Sequence, residues 1–169
     1  MTGPGYDCSC CGHRHDELPL AYGTVAPAFW HDGLAGKPGC LLDEELCKID
    51  NEHFFVRARL VLPLRDAEEE FEWGVWVSLS EPNFRRTIAR WDDPAREDEP
   101  PYFGFLSTEL PGYPVSTLRL KTNVHTQPPG VRPVVELEPT DHPLAVEQRT
   151  GIDRARVQEI AELVLHPPR

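Results

Sequence analysis

"FFVRARLVLPLRDAEEEFEWGVWVSLS", residues 54–80, decides the fold. In its first part Phe54, Val56, Ala58, Leu60 and Leu62 alternate with residues that include Arg57 and Arg59. A period of two belongs to an extended chain with one buried face. In the second part Phe71, Trp73, Val75, Val77 and Leu79 alternate with Glu72, Gly74, Trp76, Ser78 and Ser80. The link "RDAEEE" is short and acidic, so the two runs are expected to pair as an antiparallel hairpin. Gly74, inside the second run, marks a bulge or the close approach of another segment. Trp76 falls on the face opposite Phe71 and Trp73. Left uncovered, it is an aromatic contact for a partner; covered by the loop at 100–114, it seeds a second small core.

Working outward, Ser80 caps a helix that begins with Glu81 and Pro82 and runs to about Trp91. "YFGFL" (102–106), "VSTLRLK" (115–121) and "VRPVVELE" (131–138) are further strands, separated by "PGYP" and "QPPG" turns. Thr140 or Asp141 starts a short helix that Gly151 ends, and Asp153 caps the last one. There Val157, Ile160, Ala161 and Val164 form an amphipathic stripe. Upstream, residues 1–39 read as loop-rich, and "DEELCKID" (43–50) as one helical turn. The expected fold is α+β: an antiparallel sheet of about four to six strands with helices on one face. It forms a single domain over 1–169, a loop-rich CxxC segment (1–39) with a zinc-knuckle-like turn joined to an α+β body (40–169).

Acidic residues outnumber basic ones 28 to 17, for a net charge of −11. Nucleic acid is bound by neutralising phosphates, so this field argues against DNA, RNA and anionic membranes and leaves room for a basic protein partner. No apolar run approaches the ~20 residues of a membrane-spanning helix, and no secretory signal is visible. A cytoplasmic location is expected.

In a reducing compartment, clustered cysteines are more often metal ligands or redox groups than disulfides. "YDCSCCGHRH" (6–15) places Cys8 and Cys11 two residues apart, followed by Gly12. A thiolate pair at this spacing grips a tetrahedral zinc ion from a tight turn, and the glycine accepts positive φ. Cys47, just before the long strand, is the preferred third ligand. His15 is the fourth, in competition with His53, Cys40 and His13. Cys10 points elsewhere in most such turns. A redox role for the CxxC lacks the strand–CxxC–helix context that would stabilise a thiolate; reduced, idle thiols are the plain alternative.

Other chemistry is thinner. No phosphate-binding glycine loop and no nucleophile elbow is present. His125, Asp141 and His142 could form a hydrolytic metal site with a nearby glutamate as base, but helix capping explains Asp141 and His142 equally well. "LAVEQRTGIDRARVQEIAELV" (144–164) mimics a helix-turn-helix, yet Asp153, Glu159 and Glu162 offset Arg154 and Arg156, so a packed helical pair is expected.

The segments "CSCCGHRHDELPL", "LCKIDNEHFFVRARLVLPL", "FEWGVWVSLSEPNF", "PPYFGFLSTELPGYP" and "VHTQPPGVRPVVELEPTDHPLAVEQ" run through nearly the whole chain. In their order the sequence resembles the bacterial family catalogued as domain of unknown function 2199. The resemblance implies a single cytosolic bacterial domain and carries no reaction with it. Ala58 stands where similar proteins are expected to have glycine. The expectation for function is a non-catalytic binding or interaction domain stabilised by structural zinc. The alternatives are the metal-dependent hydrolase at His125, Asp141 and His142, and an immunity-type inhibitor that neutralises a basic toxin through its acidic surface.

Overall fold

The computed structural model describes residues 2–167. Its first strands, β1 (Thr2–Asp7) and β2 (Arg14–Pro19), form an antiparallel hairpin with Tyr6 opposite His15. β3 (Ala21–Gly23), β4 (Leu41–Leu42) and β5 (Leu46–Ile49) follow. The long pair comes next, β6 (His53–Pro63) and β7 (Glu70–Leu79). Helix α1 (Glu81–Ala89), β8 (Tyr102–Leu106), β9 (Lys121–His125) and β10 (Val134–Leu137) lead to α2 (Pro143–Thr150) and α3 (Arg154–Leu165).

The hairpin read from residues 54–80 is present along its full length, from Phe54 opposite Leu79 to Pro63 opposite Glu70. Around it the sheet departs from a simple antiparallel layer. β7 pairs β8, β8 pairs β9, β9 pairs β10, and β10 returns to β6, so five strands close into a barrel. The closing contact is parallel, Val134 beside Arg59, and β3 also adds to β7 in parallel. Alternation specifies which side of a strand is buried but not which edges meet, and closure satisfies the edges that an open sheet leaves unpaired. Glycine permits one of the turns of the wall: a Cβ at Gly104 of β8 would collide with the Ser78 carbonyl of β7.

The inward residues Ala58, Leu60, Val75, Val77 and Leu106 are all fully buried. The helices pack around this body rather than in a layer on one face. Phe84 of α1 meets Phe54 at a ring separation of 5.0 Å. Beyond the other end of β6, Ile152 bridges Leu64, and Gln148 of α2 binds the β10 backbone at Val135 and Leu137. The caps act as expected, with Ser80 accepting from the Asn83 amide and Asp153 from the Arg156 amide. His142, not the expected Thr140 or Asp141, caps α2, its ring accepting from the Leu144 amide, and Gly151 ends the helix at φ +77°.

Three local expectations are corrected. Residues 2–23, read as loop, carry three strands. "DEELCKID" forms no helical turn: Asp43 accepts the Glu45 and Leu46 amides in a tight turn between β4 and β5. The strand expected at 115–121 begins only at Lys121, because Arg119 adopts φ +68° and Thr117 turns inward to bind the Thr108 carbonyl. Trp76 is covered, by Leu34, Cys47, Ile49 and Phe55 in a second core. Its indole donates to the Thr24 carbonyl at 3.1 Å, so the segment after β3 supplies much of the cover expected of 100–114. Gly74 marks a close approach, its Cα facing that of Gly23 on β3.

Truncating Leu60 to alanine removes a side chain from the middle of the barrel and is expected to cost roughly 2–5 kcal/mol in urea unfolding. Gly104→Ala is expected to destabilise as well, through the collision with β7, whereas Val25→Ala on the exposed surface changes stability by less than about 0.5 kcal/mol.

Candidate metal centre

The β1–β2 turn is built by backbone bonds around Cys8. Its amide donates to the His13 carbonyl and its carbonyl accepts from the Gly12 amide, both at 3.0 Å. Gly12 sits at φ +70° with nothing near its Cβ position, the left-handed turn that the CxxCG pattern requires. The turn lays Cys8 and Cys11 side by side. Two residues into β2, His15 returns toward them, its Nε2 3.6 Å from the Cys11 sulfur. The stack of His15 on Tyr6, at 5.0 Å between ring centres, fixes the imidazole plane.

A fourth donor arrives from the far end of the chain. His166 is the C-terminal cap of α3, and that helix lies against β2. The docking is specific: Ser9 donates from both its amide and its hydroxyl to Glu162, at 2.8 and 2.6 Å. Gln158 reaches the Asp7 carbonyl, and Arg154 the Pro4 carbonyl. As a result one ligand atom each from Cys8, Cys11, His15 and His166 lies within 4.8 Å of all the others. Zinc bonds of about 2.0–2.3 Å place tetrahedral ligands about 3.3–3.8 Å apart. The Cys11–His15 pair is at that spacing, and the remaining pairs, all within 4.8 Å, would close the rest of the way around an ion. This group could hold a metal ion.

Electrostatics favour a thiolate here. Burial opposes charge on Cys8, but the backbone N–H groups of Cys11 and Cys10 and the Cys11 side chain outweigh it and hold the thiol below its ordinary range. Glu162 is likewise held low by the Ser9 hydroxyl and amide, so the carboxylate that docks α3 stays ionised.

Of the four ligands expected from sequence, Cys8, Cys11 and His15 come together and Cys47 does not. Cys47 lies on β5 opposite Phe55, fully buried beside Trp76 and Ile49. Burial pushes its thiol up to about 12, the state of a small apolar core residue rather than a ligand. Alternation along β5 turns Cys47 and Ile49 inward together, which is why it cannot fold back onto the knuckle. Cys40 contacts Asp50, while His13 and His53 face solvent. Cys10 is exposed. His166 was missed because no local pattern links it to the knuckle; only the docking of α3 does.

The alternative centre does not assemble. His125 pairs with Glu136 on the neighbouring strand at 3.1 Å. Both nitrogens of His142 are engaged, Nδ1 by the Leu144 amide and Nε2 by the carbonyls of Val115 and Ser116. Asp141 is exposed. Among the described residues these three form no ligand group.

No helix of the described residues is long and apolar enough to cross a membrane. No curated protein and no solved structure matches the chain. The family model described as "Uncharacterized protein conserved in bacteria (DUF2199)" matches residues 7–152. That span includes the hairpin turn with Cys8, Cys11 and His15, the whole barrel and α2, and stops short of α3 and His166. The chain belongs to this bacterial family.

Proposed function

We propose that this protein is a non-catalytic binding domain in which a structural zinc ion, held by Cys8, Cys11, His15 and His166, staples the amino-terminal hairpin to the last helix. The observation that carries this reading is the convergence of four donor atoms from two ends of the chain. Two sulfurs and two imidazole nitrogens are the donor set that zinc prefers in closed sites. Four protein ligands fill a tetrahedron, and a catalytic zinc would need an open position for water or substrate. The surroundings serve docking rather than turnover: Glu162 receives Ser9 instead of facing the metal as a base. Reduced thiols as ligands suit the cytoplasmic location proposed from the sequence.

Zinc binding to the folded state but not the unfolded one adds stability by mass action. About 4 kcal/mol is expected with free zinc a thousandfold above its Kd. Purified protein should carry one zinc per chain by plasma mass spectrometry, and Cys8→Ser should carry none. Chelation should raise amide exchange in residues 2–19 and 154–166 while the barrel strands stay protected. A chain free of zinc after metal-replete expression, or exchange unchanged by chelator, overturns the reading.

Thiol labelling gives an independent check. Iodoacetamide at pH 8 should modify Cys10 with or without chelator, and Cys8 and Cys11 only after chelation. Cys47, buried with its thiol near 12, should stay unmodified in both until the protein unfolds.

A further inference from the structure

A second feature lies on the outside of the barrel, away from the cysteine turn. One row of residues crosses four strands there. Phe55 on β6 faces Ser78 on β7, Ser78 faces Phe105 on β8, and Phe105 faces Lys121 on β9. Alternation turns this row outward, because Val77 and Leu106, one position along, are fully buried inside the barrel. Phe103, two residues before Phe105, lies on the same side, and the two rings meet edge to face at 5.1 Å. Phe29 joins them from the loop after β3. The Ala28 amide donates to the Ser107 carbonyl at 2.9 Å, and the Phe29 ring stacks on Phe55 at 6.0 Å.

Phe29, Phe103 and Phe105 are 42%, 50% and 40% exposed, and all three border one cavity of about 880 Å³. Single apolar side chains on a surface are ordinary, but neighbouring aromatic rings around a hollow mark a place where another surface packs. Large rings of this kind contribute most when they are buried at the centre of a contact.

Charge is divided between the two ends of this patch. On the β9 side Arg119 lines the cavity and Lys121 stands beside Phe105. Arg119 is held at φ +68°, its amide donating to the Leu106 carbonyl at 2.7 Å. Every other arginine among the described residues makes a side-chain hydrogen bond or ion pair. Arg119 makes none with a described residue, and neither does the ammonium of Lys121. At the other end, three strands away on the turn between β5 and β6, Asp50 and Glu52 line the same cavity. Both are exposed, and among the described residues neither is paired with a cation. The Asp50 carboxylate accepts only from the Cys40 thiol, at 3.6 Å.

A simple anion entering here would meet Asp50 and Glu52, and a purely basic partner would meet Arg119 and Lys121. An aromatic middle with opposite charges at its two ends is instead complementary to itself under a two-fold rotation. Copies of a chain of net charge −11 repel one another, and this face is where they gain contacts of opposite sign. We propose that it joins two copies of the chain as an isologous dimer. Phe103 and Phe105 of each copy pack at the centre. Asp50 and Glu52 of each pair with Arg119 and Lys121 of the other. The interface is independent of the zinc staple, since no residue lining the cavity belongs to the Cys8 group.

The test is sedimentation velocity on the full chain as purified. With rising concentration the mass should climb from that of the 19.1 kDa chain toward twice that value. Phe103→Asp should weaken association at least about tenfold, and Arg85→Gln on the exposed side of α1 should leave it unchanged. Charge reversal identifies the partner surface. Arg119→Glu alone sets carboxylate against carboxylate in its own dimer, and Glu52→Arg alone sets cation against cation, so each variant should be monomeric. Mixed in equal amounts, the two match at both ends and should form a heterodimer. This pair of variants also decides the matter if Phe103→Asp misfolds. A chain that stays at 19.1 kDa up to about 1 mM overturns the proposal. A dimer that survives Phe103→Asp, or charge-reversed variants that stay monomeric when mixed, overturns it as well.

Discussion

The structure depends on the pairing of β6 with β7 and on what that leaves at the other edge of β6. A ladder running from Phe54–Leu79 to Pro63–Glu70 aligns two apolar faces, so that Ala58, Leu60, Val75 and Val77 are buried together. The free edge of β6 must then be satisfied along a length greater than any one short strand can cover. β5 takes the first part and β10 the second. The barrel closes through β10, and the second core forms behind β5. Both follow from one long strand with two successive partners.

The amino-terminal hairpin has a different logic. It is peripheral to the barrel and contributes Tyr6, Cys8 and Leu18 to the common core. Its attachment to α3 rests on polar contacts, Ser9 to Glu162, Gln158 to Asp7 and Arg154 to Pro4, that lie in solvent and contribute little each. Four metal-ligating groups at the same junction are therefore where added binding energy has most effect. The family match ends before α3, so the hairpin side of the junction lies within the family's common span and the His166 side beyond it.

Charge is distributed unevenly over this acidic chain. Carboxylates dominate the loops, such as residues 92–99 and 66–70, while arginines gather along one face of β6 and in the walls beside it. Arg96 and Arg132 are matched to carbonyls and to Glu45 and serve the frame. Arg57 and Arg59 lie along the Trp76 face of the β6–β7 ladder, where Arg57 donates to the Glu44 carbonyl and Arg59 reaches Glu72.

Much of the local structure was legible in the residues themselves. The alternation of 54–62 and 71–79, the caps at Ser80 and Asp153, the stop at Gly151, and the Cys8–Cys11–Gly12 turn all depend on neighbours within a few positions. The same reading placed Cys47 at the knuckle and a strand at 115–121, and it had no means to find His166. Those outcomes turn on contacts between segments far apart in the chain. A reading of 43–50 as a helical turn could not place Cys47 on a strand facing a core, and an N-terminal cap at Asp153 says nothing of what lies beside the far end of α3. Within the β6–β7 hairpin and the last helix, the sequence by itself determined the buried face, and at Ser80, Gly151 and Asp153 it determined where a helix begins or stops. Barrel closure and the fourth donor were decided only by the tertiary structure, because each requires strand edges and helix ends to meet across distances that local patterning does not encode.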